Sequence, residues 1–191
     1  MRTAQILFCD LWLPRDFMCQ FLARANQLET IVIRDLFREA LKTTDTLRDE
    51  LKSYMDKGEI IPIETVERLI LWGIQHRPRF LLTGYPRSVE HFESFMKFCT
   101  THAITVNKLW YFKTEDFADI LNDTSHFSKL HWSEEEIAES KQKRLSDHNK
   151  FRGVMNSLLL SHEQLWHVVQ LNRGEFTDAA LITSKISDKS L

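Results

Sequence analysis

The residues with the clearest chemical potential are Arg87 and the glycine-containing turn in front of it. Residues 80–82 form a short apolar run of the kind that a parallel strand covered on both faces shows. Gly84, Tyr85 and Pro86 break that run and supply a turn, and Arg87 follows at once. In open α/β sheets, ligands bind in the crevice beyond the carboxyl ends of the strands. The pattern therefore predicts that Arg87 faces a ligand-binding crevice.

A second arginine stands beside a carboxylate in residues 31–41, IVIRDLFREAL. Arg38 follows Asp35 by three residues, so both side chains can lie on one face of a helix. Taken alone, this spacing is typical of a surface ion pair on an amphipathic helix.

Alternating apolar runs and helical patterns indicate the elements that position these arginines. Residues 4–9, 106–112 and 168–171 have the short apolar character of strands. Ser133, followed by Glu136 three residues on, predicts the capped start of a helix, and residues 176–186 predict a closing helix. We therefore expect an α/β fold, a doubly wound parallel sheet with helices on both faces.

Composition limits the classes of protein and partner. The chain has 191 residues, 43% of them hydrophobic, which suits one domain over residues 1–191. A net charge of −2 predicts neither a nucleic-acid partner nor an anionic membrane. No apolar run approaches the roughly 18 residues of a membrane helix, and the start lacks signal-peptide features. Three cysteines without CxxC spacing predict reduced thiols and a cytoplasmic location, and the scattered histidines predict no metal site.

Residues 80–88, FLLTGYPRS, resemble the F-L-L-D-G-F-P-R-T signature of adenylate kinases and related nucleoside monophosphate kinases. Residues 55–62, MDKGEIIP, resemble the M-x-x-G-x-L-V-P segment that lines the base pocket of that family. In the family, the arginines that match Arg38 and Arg87 contact the phosphate of the acceptor nucleotide. The resemblance therefore implies a site for a nucleoside monophosphate on an arm over about residues 31–70. The residues it implies for this site are Asp35, Arg38, Ile61, Gly84, Arg87 and His91.

The donor side of the family pattern is missing from the sequence. The glycine-rich phosphate-binding loop is replaced by residues 9–17, CDLWLPRDF, and the first glycine of the chain is Gly58. Backbone N–H groups cradle phosphates only where glycines let them converge, and Arg15 stands where the family has its lysine. Asp10 and Asp16 place negative charge near the position of the donor phosphates, and Thr83 replaces the aspartate that helps to organise magnesium-bound water. The resemblance implies that only Arg144 remains of the lid-side arginines, with a reduced lid at about residues 122–133.

Three functions follow from this asymmetry. The first is an adenylate kinase-like pseudoenzyme with a lost ATP site and no cofactor, which binds a nucleoside monophosphate or regulates a protein partner. The second is an active nucleoside monophosphate kinase that uses Mg-ATP, with Arg15 and Arg144 on the donor phosphates. The third is an interaction scaffold that binds no nucleotide, with Trp132 as its contact surface. His91 stands where adenylate kinases carry a glutamine that reads adenine, so the base preference stays open.

Overall fold

The computed structural model describes residues 2–11, 13–43, 45–122, 133–172, 174–176 and 178–187. The reduced lid predicted at about residues 122–133 falls almost wholly outside these ranges, because residues 123–132 are not among them. Trp132, the predicted contact surface, therefore lies outside the described residues.

A five-stranded parallel sheet forms the centre of the fold, with the strand order β2-β3-β1-β4-β5. The strands are β1 Arg2–Cys9, β2 Glu29–Val32, β3 Arg79–Thr83, β4 Ile104–Lys113 and β5 Trp166–Gln170. The helices in the described residues are α1 Arg15–Asn26, α2 Ile33–Ala40, α3 Thr46–Lys57, α4 Ile63–Gly73, α5 Val89–Thr101, α6 Phe117–Asn122, α7 Glu134–Leu159 and α8 Ala179–Ser187. The predicted α/β class with a doubly wound parallel sheet is confirmed.

Burial explains why the short apolar runs became strands. Leu82 of β3 pairs in parallel register with Ile6 of β1 on one side and with Ile31 of β2 on the other. All three side chains are fully buried. A strand that is covered on both faces must be apolar on both, which is the pattern these segments show in the sequence.

The chain divides into two compact units. The first unit consists of Met1–Leu7 and Cys19–Leu109, and the second of Phe8–Met18 and Trp110–Leu191. The expectation of one domain over residues 1–191 stays a prediction. None of the helices in the described ranges has both the length and the apolar character that crossing a membrane demands.

Helix ends in the first unit follow local rules. Asp45 caps α3, since its side chain accepts a hydrogen bond from the Arg48 amide. Gly58 ends α3 with a φ of 65°, the left-handed conformation that glycine adopts without strain. Ser88 caps α5 by accepting from the His91 amide at 3.1 Å, which places His91 in the first turn of that helix.

In the second unit, local signals predicted one helix start correctly and another incorrectly. The capping box of Ser133 and Glu136 is present at the start of α7, as the spacing predicted. The last helix was expected from Phe176, but α8 begins at Ala179. The reason is that the carboxylate of Asp178 accepts a hydrogen bond from the Leu181 amide at 3.0 Å and so caps the helix there.

Candidate functional site

A groove of about 410 Å³ in the first unit brings most of the predicted acceptor residues together. It is formed by α2, the last turn of α3, the start of α4 and the turn that joins β3 to α5. Its lining residues are Ile33, Arg34, Phe37, Arg38, Leu41, Met55, Ile61, Ile63, Val66, Gly84, Tyr85, Arg87 and His91. Five of the six residues implied for the monophosphate site line this groove, and Asp35 is hydrogen-bonded to one of them.

The amphipathic pattern of α2 determines which of its side chains reach the groove. Ile33, Leu36 and Ala40 are buried, and their spacing is that of one helix face. Arg34 and Arg38 are four residues apart, on another face, and both line the groove. The helix thus buries its apolar face in the first unit and presents two guanidinium groups to the groove.

Three arginines and one carboxylate give the groove its charge. The Arg38 Nη1 atom lies 3.4 Å from the Asp35 Oδ1 atom, and the Arg34 Nε atom lies 3.5 Å from it. Arg87 adds a third guanidinium from the turn after β3. All four side chains are largely in contact with solvent, so these ion pairs contribute little to stability. Three positive charges and one negative charge suit a ligand group with about two negative charges, as a phosphate monoester carries near neutral pH.

The turn between β3 and α5 holds Arg87 in place. Gly84 has a φ of 86°, and the Tyr85–Pro86 peptide bond is cis. The Nε atom of Arg87 donates a hydrogen bond to the Gly84 carbonyl oxygen at 2.9 Å. A guanidinium has five N–H donors, so a single bond to the turn orients Arg87 and leaves it able to grip an anion with its Nη groups.

Aromatic contacts fix His91 in the wall of the groove. The rings of His91 and Tyr85 are stacked with centroids 5.3 Å apart, and Phe95 packs edge-on against Tyr85 at 5.7 Å. Among the described residues, the buried Nδ1 atom of His91 has no hydrogen-bond partner. Burial, reinforced by the nearby carboxylate of Glu67, raises the pKa of Tyr85, so its phenol stays protonated.

The loop after β1 has different chemistry. Residues 9–11 and 13–17 line an open pocket of about 460 Å³ in the second unit. The amide of Asp10 donates to the Phe112 carbonyl at 2.9 Å, and the amides of Leu13 and Arg15 donate to carbonyls of the loop itself. An amide that is bound to a carbonyl is not available to a phosphate. Three backbone amides of this loop therefore already have carbonyl partners.

The residues suggested for a working donor site lie in the second unit. Arg15 is the first residue of α1, and its Nη2 atom lies 3.5 Å from the Asp16 carboxylate. Arg144 is partly exposed in α7. In the first unit, Thr83 is fully buried and donates a hydrogen bond to the Leu7 carbonyl at 3.3 Å. The described residues contain no cluster of three or more side chains of the types that ligate metals.

Sequence reasoning missed a buried ion pair in the second unit. Asp10 was expected to place a negative charge near the missing phosphates. Instead its side chain is fully buried, and its Oδ2 atom lies 2.7 Å from the Nη2 atom of Arg152 in α7. Tyr111 and the amide of Thr114 also donate to this carboxylate. A pairing of residues so far apart in the chain has no local signature, so no motif could have indicated it.

The fold and the groove define a class of protein: a parallel α/β protein with an arginine-rimmed groove beyond a strand end. The chain is also similar to known adenylate kinases. Over 82 residues it is 35% identical to the adenylate kinase of Rickettsia rickettsii, an alignment that covers 40% of this chain and 39% of that protein. Over 78 residues it is 33% identical to the adenylate kinase of Dehalococcoides mccartyi, covering 39% of this chain and 36% of that protein.

These relationships are partial. The similarity spans about two fifths of the length of these curated relatives. No family model matches the chain. Over the aligned stretch the chain is adenylate kinase-like, as the sequence resemblance predicted.

Proposed function

We propose that this adenylate kinase-like protein binds a nucleoside monophosphate in the groove of the first unit. The proposal is supported by the composition of the groove, which has apolar walls and three arginines in its lining. Phe37, Ile61 and Val66 offer surfaces against which a planar base can pack. The arginines offer charge-assisted hydrogen bonds to a phosphate.

We further propose that the protein is a pseudoenzyme without an ATP site. Phosphoryl transfer depends on positioning and charge stabilisation, and one stabilising group is often worth about two orders of magnitude in rate. Three backbone amides of the loop after β1 donate hydrogen bonds to carbonyl oxygens. Thr83 has no carboxylate with which to hold magnesium-bound water. A protein with this asymmetry would sense a monophosphate or regulate a partner protein rather than turn over Mg-ATP.

The cysteines support a reducing compartment for this function. Cys9, Cys19 and Cys99 all carry reduced thiols, and the latter two are buried. Burial, with the Glu67 carboxylate nearby, raises the pKa of Cys99 to about 12, so this thiol is unreactive near neutral pH. Free thiols are usual in proteins of the cytoplasm, which is the location we propose.

The test is calorimetric titration of AMP into the protein and into two variants. Arg87→Gln removes the guanidinium at the turn, and we expect AMP to bind about 10- to 100-fold more weakly. Arg24→Gln is the matched control, because Arg24 is an exposed arginine on α1, outside the groove. The control should bind AMP as the wild type does. Equal affinity in all three proteins would contradict a phosphate site at Arg87.

A further inference from the structure

A buried carboxylate in the second unit is held by donors that suit any small oxyanion. The side chain of Asp10 has no solvent exposure. Its Oδ1 atom accepts from the Tyr111 hydroxyl at 2.6 Å. Its Oδ2 atom accepts from the Thr114 amide at 2.9 Å and from the Arg152 Nη2 atom at 2.7 Å. A guanidinium from α7, and an amide and a hydroxyl from residues 111–114, thus converge on one carboxylate.

The donors are also held by contacts other than those to Asp10. The Nη2 atom of Arg152 donates to the Thr114 carbonyl at 2.5 Å, and its Nη1 atom lies 3.9 Å from the Glu115 carboxylate. Thr114 is fully buried, and Tyr111 is almost so, at the end of β4. Burial and the adjacent Asp10 raise the pKa of Tyr111, so its hydroxyl keeps the proton that it donates. The donor set therefore does not depend on Asp10 alone for its geometry.

We propose that Tyr111, the Thr114 amide and Arg152 form an oxyanion-binding site whose resident occupant is the chain's own Asp10 carboxylate. Asp10 belongs to the loop of residues 9–17, so the loop itself supplies the anion and excludes an external one. The ligand class of the site is a small oxyanion, either a carboxylate or a phosphate group. This proposal does not rest on monophosphate binding, which concerns the groove of the first unit.

The chemistry of the aspartate side chain suggests the probes. An aspartate side chain has the size of acetate, so Asp10→Gly vacates a space of that shape and leaves the positive charge of Arg152 without its buried partner. An anion that binds only the folded state raises the melting temperature in a saturable manner. Sodium acetate, sodium formate and sodium phosphate, each compared with sodium chloride at equal ionic strength, serve as probes at pH 7.

We expect at least one of these anions to raise the melting temperature of Asp10→Gly by roughly 5 °C at saturation relative to chloride. The wild type should respond to acetate and formate as it does to chloride, because Asp10 fills its site. Its response to phosphate, which the arginines of the groove in the first unit can also bind, is subtracted from that of Asp10→Gly. The double variant Asp10→Gly with Arg152→Met should lose the selective response. The proposal is overturned if no anion stabilises Asp10→Gly more than it stabilises the wild type, or if the double variant responds as strongly as the single one.

A second measurement applies if Asp10→Gly does not fold in any salt. The variants Asp10→Asn and Arg152→Met and their combination form a double-mutant cycle read by urea unfolding. Each single change leaves one member of the ion pair without its oppositely charged partner. We therefore expect the double variant to lose clearly less stability than the sum of the two single losses. Additive losses would overturn the assignment of Asp10 as the partner of Arg152.

Discussion

Arg87 is tethered to Gly84: its Nε atom donates a hydrogen bond to the Gly84 carbonyl oxygen, 2.9 Å away. Gly84 holds a φ of 86°, which an L-residue adopts only with strain. A Cβ atom at Gly84 would meet Ile33 at 3.7 Å, which is ordinary contact, so conformation and not space demands glycine here. The backbone of the turn therefore determines where the guanidinium of Arg87 lies.

This relationship predicts that Gly84→Ala weakens AMP binding as well as stability. The left-handed conformation should cost the alanine variant about 1–2 kcal/mol of unfolding free energy. Gly174→Ala is a matched control, since Gly174 has a φ of 96°, open space around it and a place in the second unit. Both variants should lose similar stability in urea unfolding, but only Gly84→Ala should bind AMP more weakly in calorimetry. A loss of affinity in Gly174→Ala alone would contradict the role of the turn.

Close packing of α4 on α2 leads to a second prediction. A Cβ atom at Gly73 would lie 2.6 Å from the Leu36 Cδ2 atom, and Leu36 is almost fully buried. We expect Gly73→Ala to lower the unfolding free energy by about 1–2 kcal/mol through overpacking. Gly153→Ala in α7 meets no atom within 4 Å and should instead raise stability by about 1 kcal/mol through helix propensity. Urea unfolding of both variants checks the difference in sign, and equal gains would refute the packing argument.

His148 predicts how stability depends on pH. Its ring is buried and stacked on Phe117 with centroids 3.6 Å apart. Burial lowers the pKa of His148 from its usual value of 6.5. The carboxylates of Asp10 and Glu115 raise the pKa and the guanidinium of Arg152 lowers it, but the effect of burial is the largest. The unfolded chain therefore takes up a proton more readily than the folded one, and stability falls as pH drops below about 6.5.

The measurement for His148 is urea unfolding between about pH 7.5 and 5.5, above the range in which carboxylates titrate. His148→Phe keeps an aromatic ring against Phe117 and removes the titrating group, so its stability should fall less over this range. His76→Gln is the control, because His76 is exposed in the first unit. A pH dependence that is the same in His148→Phe as in wild type would assign the effect to other groups.

Turnover is predicted to be absent. With Mg-ATP and AMP, we expect no phosphoryl transfer above background, because amides of Asp10, Leu13 and Arg15 are bound to carbonyls. A coupled assay beside an ordinary adenylate kinase checks this. A rate near that of the ordinary enzyme, abolished by Arg87→Gln, would favour an active kinase with an unusual donor site.

Local features of the fold were predictable from the sequence, because they depend on neighbouring residues. The capping box of Ser133 and Glu136 and the left-handed Gly58 each follow from residue types at fixed spacing. The strand at β3 followed from its apolar run, and the turn before Arg87 from its glycine and proline. The resemblance to adenylate kinases added the expectation that Arg38 and Arg87 share a ligand, and the groove has both in its lining.

Long-range contacts were not predictable in the same way. The pairing of Asp10 with Arg152 joins a loop after the first strand to a helix late in the chain, and neither residue stands in a motif that indicates the other. The stacking of His91 on Tyr85 likewise depends on how α5 leaves the turn. Side-chain contacts of this kind are decided by tertiary packing, which hydrophobic periodicity does not encode.

The proposed function requires that the chain bind a nucleoside monophosphate but no nucleoside triphosphate. Calorimetric titration of the wild-type protein tests it directly, with AMP, GMP, CMP, UMP and Mg-ATP as separate ligands. We expect saturable binding of at least one monophosphate, through Arg38 and Arg87, and no heat of binding from Mg-ATP. Binding of Mg-ATP at residues 9–17 would refute the proposed function, and so would the absence of measurable binding for every monophosphate.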